Sequence, residues 1–246
     1  MSAAVKLATR RRRISVPGGG GVSAVVALPP GFRRAGTTPA VIIAHGAGAD
    51  MRSAFVSTVH SGLARDGYIA VKFNFPYTEA RRRAPDPRPV LERAYRAVLE
   101  AVARDRALRP PWIVIGGKSL GGRIASYLAA GGAPVRGLLL LGYPLHGAGK
   151  SDQLRADHLP AIPVPMLFVQ GTRDPLCDLA KLRAVLDGVP RATLHTIEGG
   201  DHSFRPPRRA GRTDADVWAE IVSVTGRWLR TLDDRPSGGA RHLHAG

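Results

Sequence analysis

The fold is decided by residues 112–123, which read WIVIGGKSLGGR. Residues 112–116 are mostly apolar and β-branched, as a buried strand is, and residues 120–130 have the composition of a helix. Between them lies Gly117-Lys118-Ser119-Leu120-Gly121, a G-x-S-x-G sequence that puts a serine on a sharp turn from strand to helix. The small glycines keep such a turn free of side-chain clashes. We therefore interpret Ser119 as a candidate nucleophile.

The setting of this motif matters more than the match itself. A chain of 246 residues with 29 glycines is expected to contain about 0.16 such matches by chance. The alternative interpretation is a serine that only caps the N-terminus of the following helix. A strand immediately before Ser119 and a helix immediately after it favour the nucleophile.

The rest of the chain predicts an α/β fold with a mainly parallel, doubly wound sheet. Apolar runs alternate with helix-like segments from about residue 40, which is the pattern of repeated, right-handed βα units. The predicted buried strands are residues 40–44, 69–73, 112–116, 137–141, 166–170 and 192–197. The predicted helices are residues 53–66, 89–106, 120–130, 176–187 and 214–232.

Three further segments complete this prediction. Residues 14–16 and 22–28 flank a glycine-rich turn and predict an antiparallel hairpin at the sheet edge. Residues 75–86 and 143–165 are rich in proline, and the second leaves room for only a short helix. Neither segment is long enough for a full lid domain.

The length and composition favour one domain. With 246 residues and 44% hydrophobic content, the chain can bury one sizeable core. We expect a basic flexible N-terminus at residues 1–11, a domain at 12–232 and a disordered basic tail at 233–246. No hydrophobic stretch approaches the length of a secretory signal or a membrane span. Cys177 is the one cysteine, so no internal disulfide can form, which suits a cytoplasmic protein. We expect Cys177 to be a small buried hydrophobe.

Asp174 is the candidate acid of the site. A serine hydroxyl is a poor nucleophile unless a base takes its proton, and an acid must hold that base in the right tautomer. Asp174 follows the predicted strand at residues 166–170, at the edge of the sheet where open α/β folds bind ligands. The alternative is an ordinary turn residue before Pro175. Asp178 and Asp201 fit less well, since we expect Asp178 inside a helix and Asp201 to point away from the base.

His202 is the candidate base. It follows the last predicted strand, residues 192–197, and the paired Gly199 and Gly200 let the backbone fold back toward Ser119. The order serine, aspartate, histidine, with each residue after a strand, is the order of this kind of site. The other histidines lie in a predicted strand, in or near helices, in the tail, or in loops that precede Asp174; they are His45, His60, His146, His158, His195, His242 and His244.

The oxyanion formed during acyl transfer needs N–H donors that are already in place. The sequence His45-Gly46-Ala47-Gly48 follows the predicted strand at residues 40–44 and matches the H-G-x-G loop that supplies one donor. We assign the oxyanion hole to the backbone N–H groups of Ala47 and Leu120. A phosphate-binding loop is the alternative, but neither G-x-G-x-x-G nor the P-loop lysine spacing is present.

The walls of the site are expected to come from the two proline-rich segments. The candidate substrate-binding residues are His45, Tyr77, Tyr143, Leu145 and His146. The run Arg81 to Arg83 either attracts an acidic substrate or is simply a solvated loop. No His-x-x-x-His, Cys-x-x-Cys or clustered aspartates with ligand spacing occur, so we predict no metal and no cofactor.

The formal charge of +17 raises the possibility of a nucleic-acid partner. Only five of the 36 basic residues are lysines, and the many arginines beside alanine, glycine and proline are typical of GC-rich coding. The arginines are dispersed, and no aromatic residues alternate with them to stack on bases. We therefore predict a small-molecule acyl substrate and no nucleic-acid partner. Binding of the basic termini to nucleic acid or to an anionic membrane is the alternative.

Six motifs in this order resemble the α/β-hydrolase superfamily over about residues 12–232. They are residues 44–51 (AHGAGADM), 73–77 (FNFPY), 117–123 (GKSLGGR), 141–146 (LGYPLH), 168–174 (FVQGTRD) and 199–204 (GGDHSF). More narrowly, they resemble a small, lid-poor branch that includes the testis-expressed protein thirty and a regulatory subunit of the nonspecific lethal histone acetyltransferase complex. That branch is distantly similar to dienelactone hydrolases, in which a cysteine is expected in place of Ser119.

This resemblance implies an α/β-hydrolase fold. Some relatives look like scaffolds rather than enzymes, but Ser119, Asp174 and His202 are all retained here, so we predict an enzyme of the serine carboxylesterase type. Such an enzyme cleaves a small ester, thioester or lactone through an acyl-enzyme. The alternative from a different class is a non-catalytic interaction module that keeps the fold, since a fold does not by itself imply a function.

Overall fold

The computed structural model describes residues 6–33 and 35–233. One eight-stranded sheet has the order β1-β2-β4-β3-β5-β6-β7-β8. Strands β3 to β8 are parallel to one another, β2 is antiparallel to β4, and β1 is antiparallel to β2. The strands are β1 Ala8–Ser15, β2 Gly21–Leu28, β3 Ala40–Ala44, β4 Ile69–Phe73, β5 Ile113–Lys118, β6 Gly137–Leu141, β7 Met166–Gly171 and β8 Ala192–Ile197. The helices are α1 Ala54–Arg65, α2 Pro76–Glu79, α3 Arg88–Arg104, α4 Leu120–Ala130, α5 Leu179–Asp187 and α6 Asp214–Asp233.

Helices cover the sheet on both faces. Residues of α3, α4 and α5 pack on one face, and residues of α1 and α6 pack on the other. Strand side chains alternate between these two layers, so that Ile42 joins the first core and Ile43 the second, both without exposed surface. Burial on both faces explains why the central strands are continuous apolar runs and not alternating ones.

The N-terminal strand is longer than the sequence predicts. The hairpin is present, but β1 begins at Ala8, which pairs with Leu28 of β2. Residues 8–11, expected in a flexible N-terminus, are therefore part of the sheet. A run of four arginines is a poor strand signal, and the β2 backbone supplies the pairing that overrides it. The exposed arginines of this edge strand oppose association with another sheet edge.

The expected termini lie partly outside the described residues, which exclude 1–5 and 234–246. Within the described part of the chain, no helix combines the length and apolar character needed to cross a membrane. The same residues contain no group of three or more histidine, cysteine, aspartate or glutamate side chains placed to hold a metal ion.

Two smaller differences and one agreement lie in the segments that follow the strands. The segment 75–86, expected to be irregular, contains the single helical turn α2. Residues 143–165 contain a short 3-10 turn at Leu159–Ala161, in keeping with the room for only a short helix. Helix α5 begins at Leu179, not at residue 176, because the Asp178 carboxylate accepts hydrogen bonds from the N–H groups of Ala180 and Lys181 and caps the helix there.

Candidate active site

Ser119 lies on a strained turn between β5 and α4. Its backbone has a φ of 50° and a ψ of −111°, a conformation that a residue with a side chain rarely adopts. Its side chain makes no capping hydrogen bond to α4. The hydroxyl oxygen instead lies 2.9 Å from Nε2 of His202. The helix-cap interpretation of Ser119 therefore does not describe this residue.

The glycines beside Ser119 are required because the turn packs directly on β3. A Cβ atom on Gly117 would lie 2.3 Å from the carbonyl oxygen of Ala44, and one on Gly121 would lie 2.5 Å from the same oxygen. Gly117 also has a φ of 155°, within the region that favours glycine. Ala44 is the last residue of β3, so this contact fixes the serine turn against the start of the His45-Gly46-Ala47-Gly48 loop.

Tyr95 of α3 supports the same turn from inside the core. Its hydroxyl accepts a hydrogen bond from the Gly116 N–H at 2.8 Å and lies within donating distance of the carbonyl oxygens of Gly116 and Ile42, at 2.6 and 2.9 Å. This one side chain links β3 and β5 just before Ser119. The sequence alone does not reveal this role, because Tyr95 fits the apolar stripe of α3 and carries no other signal.

Asp174 is fixed at the end of β7 by three hydrogen bonds. Oδ1 accepts from the Leu176 N–H at 2.8 Å, and Oδ2 accepts from Nε2 of Gln170 at 2.7 Å. Oδ2 also lies 2.8 Å from Nδ1 of His202. The Asp174 side chain has no exposed surface, whereas the His202 side chain is 25% exposed. Asp174 is thus more than a turn residue before Pro175.

These contacts define how the protons are arranged. An ionised carboxylate can only accept, so the hydrogen between Asp174 and His202 is on Nδ1 of the imidazole. The neutral imidazole then has a lone pair on Nε2, which can accept the hydrogen of the Ser119 hydroxyl. The structure brings together Ser119, Asp174 and His202, the three residues that the sequence suggested.

The competing acids have other partners. Asp178 caps α5, as described above, although sequence analysis expected it inside a helix. The Asp201 carboxylate accepts hydrogen bonds from the N–H groups of Ser203 and Arg205 and so stabilises the loop that carries His202. Cys177 is buried as expected, and burial raises the pKa of its thiol to about 12, which keeps it protonated.

A second serine–histidine pair involves Ser126, seven residues further along α4. The Ser126 hydroxyl oxygen is 2.7 Å from Nε2 of His158 and 2.7 Å from the carbonyl oxygen of Arg123. Ser126 is completely buried, has its hydroxyl bonded to its own helix, and lines neither of the cavities that Ser119 lines. Because its hydroxyl is buried and already bonded to Arg123 and His158, we interpret this pair as structural.

The two proposed oxyanion donors lie on the wall of one cavity beside Ser119. Leu120 is the first residue of α4, so its N–H has no acceptor within the helix. Neither this N–H nor that of Ala47 has a hydrogen-bond partner among residues 6–33 and 35–233. Both residues line the cavity that also contains Ser119.

The predicted substrate-binding residues are corrected by their burial. None of the five (His45, Tyr77, Tyr143, Leu145 and His146) lines a cavity that contains Ser119, and each is at most 5% exposed. Nε2 of His45 accepts from the Phe75 N–H, and the Tyr143 hydroxyl donates to the Arg155 carbonyl. Nε2 of His146 likewise accepts from the Asp178 N–H, so the side chains of His45, Tyr143 and His146 stabilise the loops behind the cavities.

Ser119 lies between two cavities. One, of about 250 Å³, lies beside α3 and α4 and includes Arg88, Arg123 and Arg155. The other, of about 360 Å³, includes His202, Phe55 and Trp218. A larger cavity of about 670 Å³ lies between β1 and α3, but Ser119 and His202 are not among the residues that line it. Of these three cavities, the ones of about 250 and 360 Å³ border Ser119.

Lys118, the residue before the serine, was not singled out by the sequence. Its ammonium is buried, has no hydrogen-bond partner in the described part of the chain, and lies 5.2 Å from the ring centroid of Phe204. Burial lowers the pKa of Lys118 to about 8, and the carboxylates of Asp174 and Asp201 oppose that shift.

A parallel sheet with an antiparallel hairpin, and a serine on a strained turn between a strand and a helix, define the class of α/β-hydrolases. Residues 37–230 match the family model of the alpha/beta hydrolase domain, and the chain belongs to that family.

Three solved structures show the same fold at low sequence identity. An alpha-beta serine hydrolase homologue from Coxiella burnetii is 20% identical, with a TM-score of 0.71 over 89% of this chain and 97% of that chain. A dienelactone hydrolase from Anabaena variabilis is 18% identical, with a TM-score of 0.72 over 92% and 98%. A serine hydrolase without a lid from Xanthomonas campestris is 22% identical, with a TM-score of 0.68 over 89% and 94%.

Proposed function

We propose that the protein is a serine hydrolase that cleaves a small ester, thioester or lactone, with Ser119 as nucleophile, His202 as base and Asp174 as the acid that orients the base. The observation that carries this proposal is the continuous chain of hydrogen bonds from Ser119 through His202 to Asp174. The hydroxyl at one end of that chain is held in a strained backbone conformation and does not cap its helix. A merely structural serine needs neither feature.

Acylation begins when Oγ of Ser119 attacks the carbonyl carbon of the substrate. The Oγ–C bond forms as Nε2 of His202 takes the hydroxyl proton, and the carbonyl oxygen becomes an oxyanion. When the tetrahedral intermediate collapses, the bond to the leaving group breaks and His202 gives the same proton to the departing oxygen or sulfur. Asp174 remains ionised and stabilises the imidazolium formed in between.

Deacylation repeats these steps with water. His202 removes a proton from the water molecule as its oxygen attacks the acyl carbon. The Ser119 Oγ–C bond then breaks, Oγ recovers the proton from His202, and the carboxylic acid is released. No other reactant is required, and the enzyme returns to its starting state.

The N–H groups of Ala47 and Leu120 are proposed to bind the oxyanion in both steps. Both are without partners in the described residues, and the N-terminus of α4 adds its positive end of the helix dipole. In other hydrolases, one such donor contributes on the order of a hundred- to a thousandfold to the rate.

The position of His202 suggests which cavity holds the leaving group and which holds the acyl group. The leaving group must receive its proton from Nε2 of His202, so it has to lie on the side of Ser119 where His202 is exposed. His202 lines the cavity of about 360 Å³ and not the one of about 250 Å³. We therefore assign the cavity of about 360 Å³ to the leaving group and the cavity of about 250 Å³ to the acyl group.

The narrower resemblance to a lid-poor branch is also part of this proposal. The two segments at the site, residues 75–86 and 143–165, contain only α2 and one 3-10 turn and leave Ser119 lining two open cavities. The serine at position 119 favours ester or thioester cleavage over the cysteine chemistry expected of a dienelactone hydrolase.

Labelling with a fluorophosphonate probe tests this proposal, because the probe forms a stable bond only with an activated serine. We expect the wild-type protein and a Ser126→Ala variant to be labelled at the same rate, and a Ser119→Ala variant not to be labelled. Wild-type protein that reacts no faster than Ser119→Ala would instead identify a non-catalytic module with a hydrolase fold.

A further inference from the structure

Three arginines line the cavity assigned to the acyl group. They are Arg88 of α3, Arg123 of α4 and Arg155 of the segment after β6, and the cavity of about 250 Å³ also includes Ser119. Most of its other lining residues are apolar, including Leu91, Ile124 and Leu176. The cavity therefore combines an apolar wall with a concentration of positive charge beside the nucleophile.

Arg123 carries a positive charge without a counter-ion. Its side chain forms no hydrogen bond or ion pair with any other described residue, and its Nε atom is buried without a partner. Burial, followed by repulsion from Arg155 and Arg88, lowers the pKa of Arg123. Burying a charge is costly unless an opposite charge or hydrogen-bond acceptors compensate for it. The fold thus holds a cation where an anion would be stabilised.

The neighbouring charges do not neutralise Arg123. Arg88 is paired with Glu92 at 3.0 Å and lies 4.5 Å from the ring centroid of Tyr127. Asp86 is the one acidic residue that lines the cavity, and its Oδ1 is paired with Arg82 outside it.

Arg155 is a second arginine in this cavity whose side chain has no acidic partner among the described residues. Its side chain makes only a long contact of 3.5 Å from Nη1 to the carbonyl oxygen of His146, and it has no ion pair within the described ranges. Two guanidinium groups without carboxylate partners therefore remain on one wall.

Arg123 lies on the same side of α4 as Ser119. It is four residues after Ser119, about one helical turn, which is consistent with their shared cavity. That cavity, of about 250 Å³, has room only for a short acyl chain.

We infer that the natural substrate has an acyl group with a second, free carboxylate, and that Arg123 and Arg155 bind this carboxylate while Ser119 attacks the ester carbon. The substrate class is the half-ester or half-thioester of a short dicarboxylic acid. Arginine suits this role because its planar guanidinium donates two parallel hydrogen bonds to a carboxylate. This inference rests on the proposed function.

The run Arg81 to Arg83, which the sequence offered for an acidic substrate, lies elsewhere. These residues line a different cavity with Gly48, Asp50 and Arg52, and Ser119 is not part of it. Arg83 therefore provides a matched control, since its replacement removes one positive charge near the site without changing the wall of the acyl cavity.

The test compares two chromogenic esters with the same leaving group and the same number of acyl carbons, 4-nitrophenyl hydrogen adipate and 4-nitrophenyl hexanoate. At 0.15 M salt, we expect the wild-type kcat/KM to be at least about tenfold higher for the adipate ester. This preference should fall to about one in Arg123→Met and in Arg155→Met, and should be partly restored by Arg123→Lys. Arg83→Met should keep it. The rate without enzyme is subtracted for each ester.

Each possible result decides between the explanations. If Ser119 reacts with the fluorophosphonate probe but the adipate ester is cleaved no faster than the hexanoate ester, the inference is wrong and the proposed function stands. A preference that survives both Arg123→Met and Arg155→Met but disappears in Arg83→Met also overturns the inference, in favour of the outer arginines. If Ser119 does not react with the probe, the proposed function and the inference both fail.

Discussion

The Nε2 atom of His202 lies 2.9 Å from the hydroxyl oxygen of Ser119, although 83 residues separate the two in sequence. The parallel sheet produces this contact, because β5 and β8 both end at the same edge and their following loops meet there. The order of the strands places β6 and β7 between them, so His202 must reach back over two strands. Asp174, at the end of β7, lies on that path and orients the imidazole.

If these residues act as one unit, their substitutions will not be additive. We expect His202→Gln and Asp174→Asn each to lower kcat by on the order of a thousandfold or more. The double variant should be no slower than His202→Gln alone, because Asp174 acts only through the imidazole. Steady-state kinetics with a 4-nitrophenyl ester measures this, with thermal unfolding as the check on folding. Losses that multiply in the double variant would show that the two residues act independently.

The packing of the serine turn on β3 predicts an unusual response to alanine. Gly121 is in α4, where alanine normally favours a helix over glycine. Here a Cβ atom would lie 2.5 Å from the Ala44 carbonyl oxygen, so we expect Gly121→Ala to destabilise the protein by about 2 kcal/mol and to reduce activity sharply. Gly188→Ala is the control, because its Cβ would meet nothing closer than 3.7 Å. Urea unfolding of both variants measures the difference, and equal stabilities would contradict the described packing.

The buried Lys118 predicts a stability that depends on pH. Burial lowers its pKa in the folded protein to about 8, from 10.5, so protonation favours the unfolded chain. The penalty is absent above pH 10.5, grows as the pH falls toward 8, and is constant below that. We therefore expect Lys118→Met, which keeps a chain of similar length, to raise the free energy of unfolding by up to about 3 kcal/mol at pH 7 and by only about 1 kcal/mol at pH 10.

Urea unfolding at the two pH values checks this prediction, with Lys6→Met as the control. Lys6 is exposed, so its substitution should change stability by less than about 0.5 kcal/mol at either pH. A Lys118→Met variant that is less stable than wild type at pH 7 would show that its ammonium has a favourable partner in solution.

The prediction that nucleic acid is not a partner must be tested with variants that leave strand β1 intact. Removing residues 10–13 would delete part of β1, and Arg12 and Arg13 are paired with Asp105 and Glu79. We expect the protein to leave a heparin column at or below about 0.2 M salt, as dispersed surface charge does. Elution well above this concentration that is abolished by Arg10→Gln with Arg11→Gln would instead reveal a specific basic site.

Much of the fold could be predicted because buried parallel strands leave a strong signal. Strands β3, β4, β6 and β8 have the bounds expected from their apolar runs, and helix α4 begins and ends where it was expected. Strand β1 was underestimated since its stability comes from pairing with β2, a long-range contact that a run of arginines does not reveal. The start of α5 depends on which of several polar residues caps the helix, and local composition does not decide that.

The candidate site also contains residues that the sequence predicts and residues that it does not. The sequence predicts that Ser119, Asp174 and His202 lie together because each follows a strand, and the structure has them in contact. The five expected substrate contacts are buried and line no cavity with Ser119, because residues in loops look alike in sequence whether they face a cavity or stabilise the loop behind it. Arg123 and Lys118 were missed since nothing in the sequence shows that a charged side chain lacks a partner.

The most direct test of the account is to find the acyl group on the enzyme. The protein is mixed with a 4-nitrophenyl ester, quenched in acid within the first turnover, and digested for peptide mass analysis. We expect one acyl group on Ser119, released by water in the wild type and absent in Ser119→Ala. Ester cleavage that leaves no acyl group on Ser119, or that continues unchanged in Ser119→Ala, would contradict it.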